Sequence, residues 1–493
     1  MFGNGVWRWC LGWRQQQQQP LPPQPYPLFR QPDDDYRTQL NQSNRPPHMP
    51  QDSFGGETYH GESSRSSFDE SPETFQDLEK SRSITSLTAL TPNRAMFAQS
   101  DEEQLPPGKP TGETIDPYSP TRPKLGIKQR LAHFTWAWYT LVMSTGGLSL
   151  LIISQPHQFP GLREIGLVVY IINVILFTLV TSALLARFFL FPGTFKKSIT
   201  HPREGFFFPT FFLSLATLIT STQRYAVPTN AADASPGLLW AIQAAFWLYL
   251  ALTTLVAVGQ YSYVFAAHTH GLQTMMPTWI LPIFPIMLSG TIAAVIAGSQ
   301  PPTQAVPIIM AGLTCQGLGL AVAVMMYAHM VGRLMQSGLP NREHRPGLFM
   351  CVGPPAFTAL AFLGLAQALP PNFDHDMDGL LDTSIIRTAA IMGAGFLWAL
   401  SFWWFGIAVL AVLQSPPRYF HLGWWATVFP NTGFTLATIS LGKAFQNEPV
   451  LWFATAMSIC LLLTYSFVLY SHVQAVLVQD IMYPARDEDF EDH

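Results

Sequence analysis

The chain has 493 residues, of which 48% are hydrophobic and only 12% charged, with a formal net charge of −4. That charge belongs to the first quarter, because residues 1–127 carry 12 Lys+Arg against 16 Asp+Glu and residues 128–493 carry 15 of each. So sparsely charged a region, with apolar runs of roughly 18 residues or more, excludes a soluble core and a nucleic-acid partner and describes a polytopic membrane protein.

Residues 15–50 hold a Gln run followed by Pro and Gln, and residues 60–95 are rich in Ser, Thr, Glu and Arg. Such sequence buries too little apolar surface to offset its ordering entropy, so 1–127 is expected to be a disordered tail. Trp7, Trp9 and Trp13 are too few and too Arg-interrupted for a signal peptide. The run from Ser81 to Thr85, with Thr91-Pro92 and Ser119-Pro120, suits phosphorylation or serves as polar filler.

Ten apolar spans follow, starting near His133, Ile165, Phe207, Leu238, Pro277, Val306, Leu348, Ile386, Leu422 and Val450. Starts of the odd spans lie 74, 70, 71 and 74 residues apart, so the repeating unit is a helical hairpin used five times. The expected fold is an all-α polytopic membrane protein, ten transmembrane helices in five hairpins around a central pore, filling residues 128–484. Residues 485–493 form a short acidic tail.

Basic residues set the orientation. Arg122, Lys124, Lys128, Arg130, Arg187, Lys196, Lys197, Arg203, Arg333, Arg342 and Arg345 flank one side of the spans, against Arg163, Arg224, Arg387 and Lys443 on the other. Both termini are therefore expected in the cytoplasm. The alternating Asp374, Asp376, Asp378 and Asp382 suit a solvated acidic loop or a Ca²⁺ site, and His268 with His270 lacks the third ligand a metal needs. Four scattered cysteines, Cys10, Cys315, Cys351 and Cys460, make neither a disulfide framework nor a metal centre, and nothing calls for a cofactor.

The odd spans are interrupted. Span one has Ser144, Thr145, Gly146 and Gly147 in its middle; Pro209, Pro285, Pro354 with Pro355, and Pro430 interrupt spans three, five, seven and nine. Proline frees a carbonyl that hydrocarbon cannot satisfy, so these helices should be kinked and face inward. Spans two and ten lack such interruptions. Glycines in spans six and eight read better as close helix contacts.

Scarcely any ionisable group lies deep in a span. Helix N-termini at the breaks would then supply a positive lumen suited to anions, with Ser144, Thr145, Gly146, Gly147, Gln316, Asn431 and Thr432 as candidate coordinating positions. Phe208, Phe284 and Phe429, each followed by proline, are candidate aromatic constrictions. Arg224 could draw anions to the outer mouth, and Glu204 could pair with a neighbouring Arg or cap its helix.

Five blocks carry a family resemblance: HFTWAWYTLVMSTGGLSLLI (133–152), WILPIFPIMLSGTIAAVIAG (279–298), RPGLFMCVGPPAFTALA (345–361), GWWATVFPNTGF (423–434) and VQDIMYPARDEDF (478–490). In these the chain resembles the fungal malic acid transport proteins of the tellurite-resistance/dicarboxylate transporter family. The resemblance implies a non-enzymatic homotrimer with one conduit per subunit, moving malate and other C4-dicarboxylates with protons across the plasma membrane. It also implies a gating phenylalanine in helix nine, Phe429. Fungal sulfite efflux pumps share the helix-nine pattern and form the alternative. A dicarboxylic acid partly protonated outside the cell could carry its own proton.

Overall fold

The computed structural model describes residues 123–484 except 229–232, 268–270, 372 and 374–381. Outside it lie all but the last residues of the expected tail 1–127, the acidic tail 485–493, His268 and His270, and Asp374, Asp376 and Asp378. Among the described residues there is no β-strand.

Ten main helices alternate between short and long. The short ones are α1 (Tyr139–Ser154), α3 (Thr210–Ala226), α5 (Phe284–Ile296), α7 (Gly353–Ala368) and α9 (Phe429–Ala444). The long ones are α2 (Leu162–Leu190), α4 (Pro236–Ala267), α6 (Pro302–Ser337), α8 (Thr383–Gln414) and α10 (Glu448–Val478). Each short helix packs on the next short one in chain order, and α9 returns to α1, which closes a ring of five. Every long helix lies outside the ring against the short helix before it.

Burial follows from this layering. In the spans containing α1, α3 and α7, 67–83% of the most apolar window is buried, whereas in the long helices the share is 17–33%. Leu255, Phe396 and Leu463 project outward from long helices, as lipid-facing residues do. Apolar character all round a long helix is what a bilayer requires.

Eight helical segments are long and apolar enough to cross a membrane. The segment Phe284–Ser299 is too short by that measure. The 13 residues of α5 rise only about 20 Å, and α9 has 16 residues, including Asn431 and Lys443. Both lie within the ring, where protein rather than lipid surrounds them.

The short helices share an entry. A 3₁₀ segment precedes each: Trp136–Trp138, Glu204–Phe207, Pro277–Ile280, Arg342–Val352 and Leu422–Thr427. Pro209 is the N-cap of α3, while Pro285, Pro354 with Pro355, and Pro430 fall in the first turns of α5, α7 and α9. There a missing N–H breaks no bond within the α-helix itself, since first-turn donors have no partner in it, and what it leaves open is a carbonyl of the preceding segment. The prolines thus mark where a tight helix becomes an α-helix.

Carbonyls at these junctions are served by side chains. Tyr249 of α4 donates to the carbonyl of Pro285 (2.8 Å), Tyr261 of α4 to that of Trp279 (2.8 Å), and Gln260 of α4 to that of Gly205 (2.6 Å). Tyr327 of α6 donates to the carbonyl of Cys351 (2.7 Å), whose helical donors would be Pro354 and Pro355. At Cys351 the outer helix therefore supplies a bond that the inner one cannot make for itself, and at Gly205, whose carbonyl also accepts from the Phe208 N–H, it adds a second.

Two further ties hold the entry side together. Arg187 of α2 forms a buried ion pair with Glu204 (2.5 Å) and donates to the carbonyl of Phe134 (2.8 Å). Leu125 and Gln479 exchange two hydrogen bonds, so the beginning and end of the described unit meet on one face. In α6, Gly312 and Gly319 let Ala293 and Met287 of α5 approach closer than any Cβ would allow, while Gly317 meets nothing.

Candidate functional site

Inside the helix ring, from mid-height to the C-terminal ends of the short helices, lies a cavity of about 580 Å³. All five short helices line it: Gly147 and Leu150 from α1, Thr217 and Thr220 from α3, Leu288 and Thr291 from α5, Phe357 and Leu360 from α7, Phe429 and Thr432 from α9. Small and hydroxylated residues stand among aliphatic ones, giving a wall that tolerates water without fixing it.

Three cations, Arg163, Arg224 and Lys443, also line the cavity, and among the described residues no Asp or Glu does. Arg163 donates to the carbonyl of Tyr225 (3.3 Å), and Lys443 to that of Ser154 (3.1 Å). Arg224 and Lys443 are near enough for their charges to repel. Both occupy last helical turns, where a cation also offsets the negative end of the helix dipole.

At the other end the cavity stops at aromatic rings. Phe357 and Phe429 stack at 5.1 Å with an interplanar angle of 27°. Behind them Phe284 meets Phe357 at 5.8 Å and Phe429 at 6.2 Å, edge-on to both. Phe429 is 1% exposed and Phe284 2%. Phe208 stands apart from this cluster, half-buried and edge-on to Trp136 at 4.9 Å.

The other candidates divide between lining and seam. Gly147 and Thr432 face the cavity. Ser144 is buried and only 3.5 Å from the carbonyl of Trp425, at the α1 contact with the entry to α9. Thr145 donates to the Leu141 carbonyl (2.8 Å) and accepts from Tyr465 of α10 (2.9 Å). Gly146 admits Thr217 and Asn173, and Gln316 donates to Thr358 (2.8 Å) between α6 and α7. Asn431 donates to the carbonyl of Thr427 (2.8 Å), and its Oδ1 is buried without a hydrogen bond.

Amide donors at the helix starts, expected to make the lumen positive, are engaged locally. Phe284 N–H donates to Leu281, Met287 to Ile283, Val428 to Trp425 and Thr432 to Val428. The 3₁₀ entries consume these groups, so the positive charge at the cavity comes from side chains instead.

Sequence reasoning did not single out Phe357, Thr217, Arg163 or Lys443 for the site. Phe357 follows its prolines rather than preceding them, which hid it from a search for Phe-Pro pairs. Arg163 and Lys443 looked like ordinary loop charges until the ring brought them together.

Long apolar helices around a closed inner ring, with a solute-sized cavity inside it, define a polytopic helical membrane protein. Residues 133–473 match a family model described as voltage-dependent anion channel. A malic acid transport protein of Schizosaccharomyces pombe is 35% identical over 371 residues, covering 74% of this chain and 84% of that protein. A putative malic acid transport protein of the same yeast is 30% identical over 373 residues, 75% and 86% of the two chains. A sulfite efflux pump of Trichophyton rubrum is 28% identical over 321 residues, 64% and 84%. The chain belongs to this voltage-dependent anion channel and tellurite-resistance/dicarboxylate transporter family, whose members are transporters and channels rather than enzymes.

Proposed function

We propose that this protein moves malate and related C4-dicarboxylate anions across the plasma membrane, through a pore enclosed by α1, α3, α5, α7 and α9. The reading rests on one observation: a cavity with three cations at its mouth, no carboxylate from the described residues in its wall, and stacked phenylalanines at its floor. Malic acid transport proteins at 35% and 30% identity support the dicarboxylate.

In this reading all ten helices cross as five hairpins, and α5 and α9 cross despite their length because protein and water surround them. The Arg- and Lys-rich entry side is cytoplasmic by the positive-inside rule, as are both termini, and the cavity opens outward. Arg163, Arg224 and Lys443 concentrate anions at the mouth. Thr217, Thr220 and Thr432 line the wall with hydroxyls that donate to the carbonyls of Ser214, Ala216 and Val428 and turn to an anion only by giving up those bonds, and Phe429, Phe357 and Phe284 close the path by volume and dewetting. Coupling to protons needs no acid in the wall, since the substrate can enter as its monoanion. The subunits assemble as homotrimers through the apolar outer faces.

The test is labelled malate uptake into cells lacking their own permease, at two external pH values, with and without an uncoupler. Uptake that is higher at the acidic pH and abolished by the uncoupler supports the reading; absence of malate uptake sinks it. A second reading, export of sulfite or another small anion, is favoured by the 28% identical sulfite efflux pump. Competition by succinate and fumarate but not sulfite decides for the dicarboxylate, and the reverse decides for sulfite.

A further inference from the structure

The three rings that close the cavity are each laid against a glycine of the next short helix. A Cβ at Gly353 of α7 would stand 2.5 Å from the ring tip of Phe284 of α5. A Cβ at Gly433 of α9 would stand 2.6–2.8 Å from three ring carbons of Phe357 of α7. A Cβ at Gly147 of α1 would stand 3.4 Å from the ring of Phe429 of α9. The series runs one way round the ring, from α5 to α7, α9 and α1. None of these glycines has a positive φ, so space rather than backbone conformation accounts for their use.

We infer that Gly353 and Gly433 are positioning residues for the aromatic plug: each is a seat whose missing Cβ holds the neighbouring ring in the closed position. The inference rests on the reading of the phenylalanines as a gate. An alanine methyl at Gly433 pushes the Phe357 ring away by about 1 Å to regain the roughly 3.5 Å carbon–carbon contact. Phe429, one turn earlier on α9, stacks on the same ring at 5.1 Å, so that displacement disturbs the pair that closes the cavity floor. An alanine at Gly353 displaces Phe284, which meets both of those rings edge-on. Gly147, with its looser contact, is the weakest of the three seats.

The seat differs from a packing role in sign. Alanine for glycine inside a helix ordinarily favours the helix, so a position that matters for packing alone would leave flux unchanged or lower it. The test is anion uptake per surface molecule for Gly433→Ala, Phe357→Ala and the double variant, with Gly353→Ala, Phe284→Ala and their double variant as a second set should the first fail to reach the surface. Gly433→Ala is expected to raise uptake roughly two- to tenfold, the range that loosening one aromatic pair permits, and to add nothing to Phe357→Ala. Unchanged or reduced uptake in both glycine variants, or equal gains with and without the phenylalanine, overturns the inference. Phe429→Ala, measured in parallel, separates the two readings. Raised flux there with none in the glycine variants sinks the seat alone, whereas unchanged flux in every phenylalanine variant sinks the gate.

Discussion

The ring of Phe357 lies 5.1 Å from that of Phe429 and nearly parallel to it, so two neighbouring short helices meet face to face across the cavity floor. The pair makes closure a shared property of α7 and α9.

Phe429→Ala and Phe357→Ala are each expected to raise malate uptake or anion current severalfold at equal surface level. Vesicles with reconstituted protein provide the measurement. Wild-type flux in both variants would remove the rings from the path.

Neutralising the mouth should act on affinity. Arg224→Gln or Lys443→Gln removes about 1 kcal/mol of attraction for an anion in a watery vestibule, which raises the malate KM severalfold and leaves the maximal rate close to wild type. Because exposed charges are screened, the difference should shrink in high salt. A KM that does not move at low ionic strength counts against a role in capture.

Hydroxyls on the wall should separate from hydroxyls in the seams. Thr432→Val and Thr217→Val remove hydroxyls of the cavity lining that would turn from the Val428 and Ser214 carbonyls to an anion, and are expected to raise the malate KM. Ser144→Ala, beside the Trp425 carbonyl, is expected to leave it unchanged. The opposite pattern would relocate the binding site to the α1–α9 seam.

Tyr327→Phe tests the junctions. The Cys351 carbonyl it serves has prolines three and four residues ahead, so nothing in α7 replaces the lost donor. A buried acceptor left unpaired costs about 1–3 kcal/mol, visible as a lower unfolding temperature of detergent-purified protein with flux per folded molecule preserved. An unaltered melting curve would mean that the carbonyl finds water.

Glu204→Gln strands Arg187, which is 4% exposed. Breaking a buried pair from one side costs about 3–5 kcal/mol, while replacing both partners with apolar residues is far milder. Surface expression should therefore collapse in Glu204→Gln and recover in Arg187→Met/Glu204→Leu. Equal loss in both would point to a function beyond holding the entry to α3.

Where α3, α5, α7 and α9 begin was readable because proline acts through the backbone and stands at each of those starts. Arg187 and Glu204 also met as a charge placed in an apolar setting must. What stayed hidden depends on helix phase. Successive residues point about 100° apart, so Thr145 reaches Tyr465 while Gly147, two positions on, faces the cavity. No local pattern distinguishes them, since both directions are buried in protein. The free amide donors expected at the breaks were absent because the chain enters each short helix through a 3₁₀ turn that spends them, a detail of a few residues that hydropathy does not register.

The side-chain donors that outer helices lend to inner carbonyls have a mechanical consequence. With Tyr249, Tyr261, Gln260 and Tyr327 pinning the junctions of α3, α5 and α7, the scaffold resembles a riveted frame, and the parts free to turn are side chains. In the proposed reading, passage through such a frame waits on the turning of buried rings and needs no rocking of domains on the microsecond-to-millisecond scale.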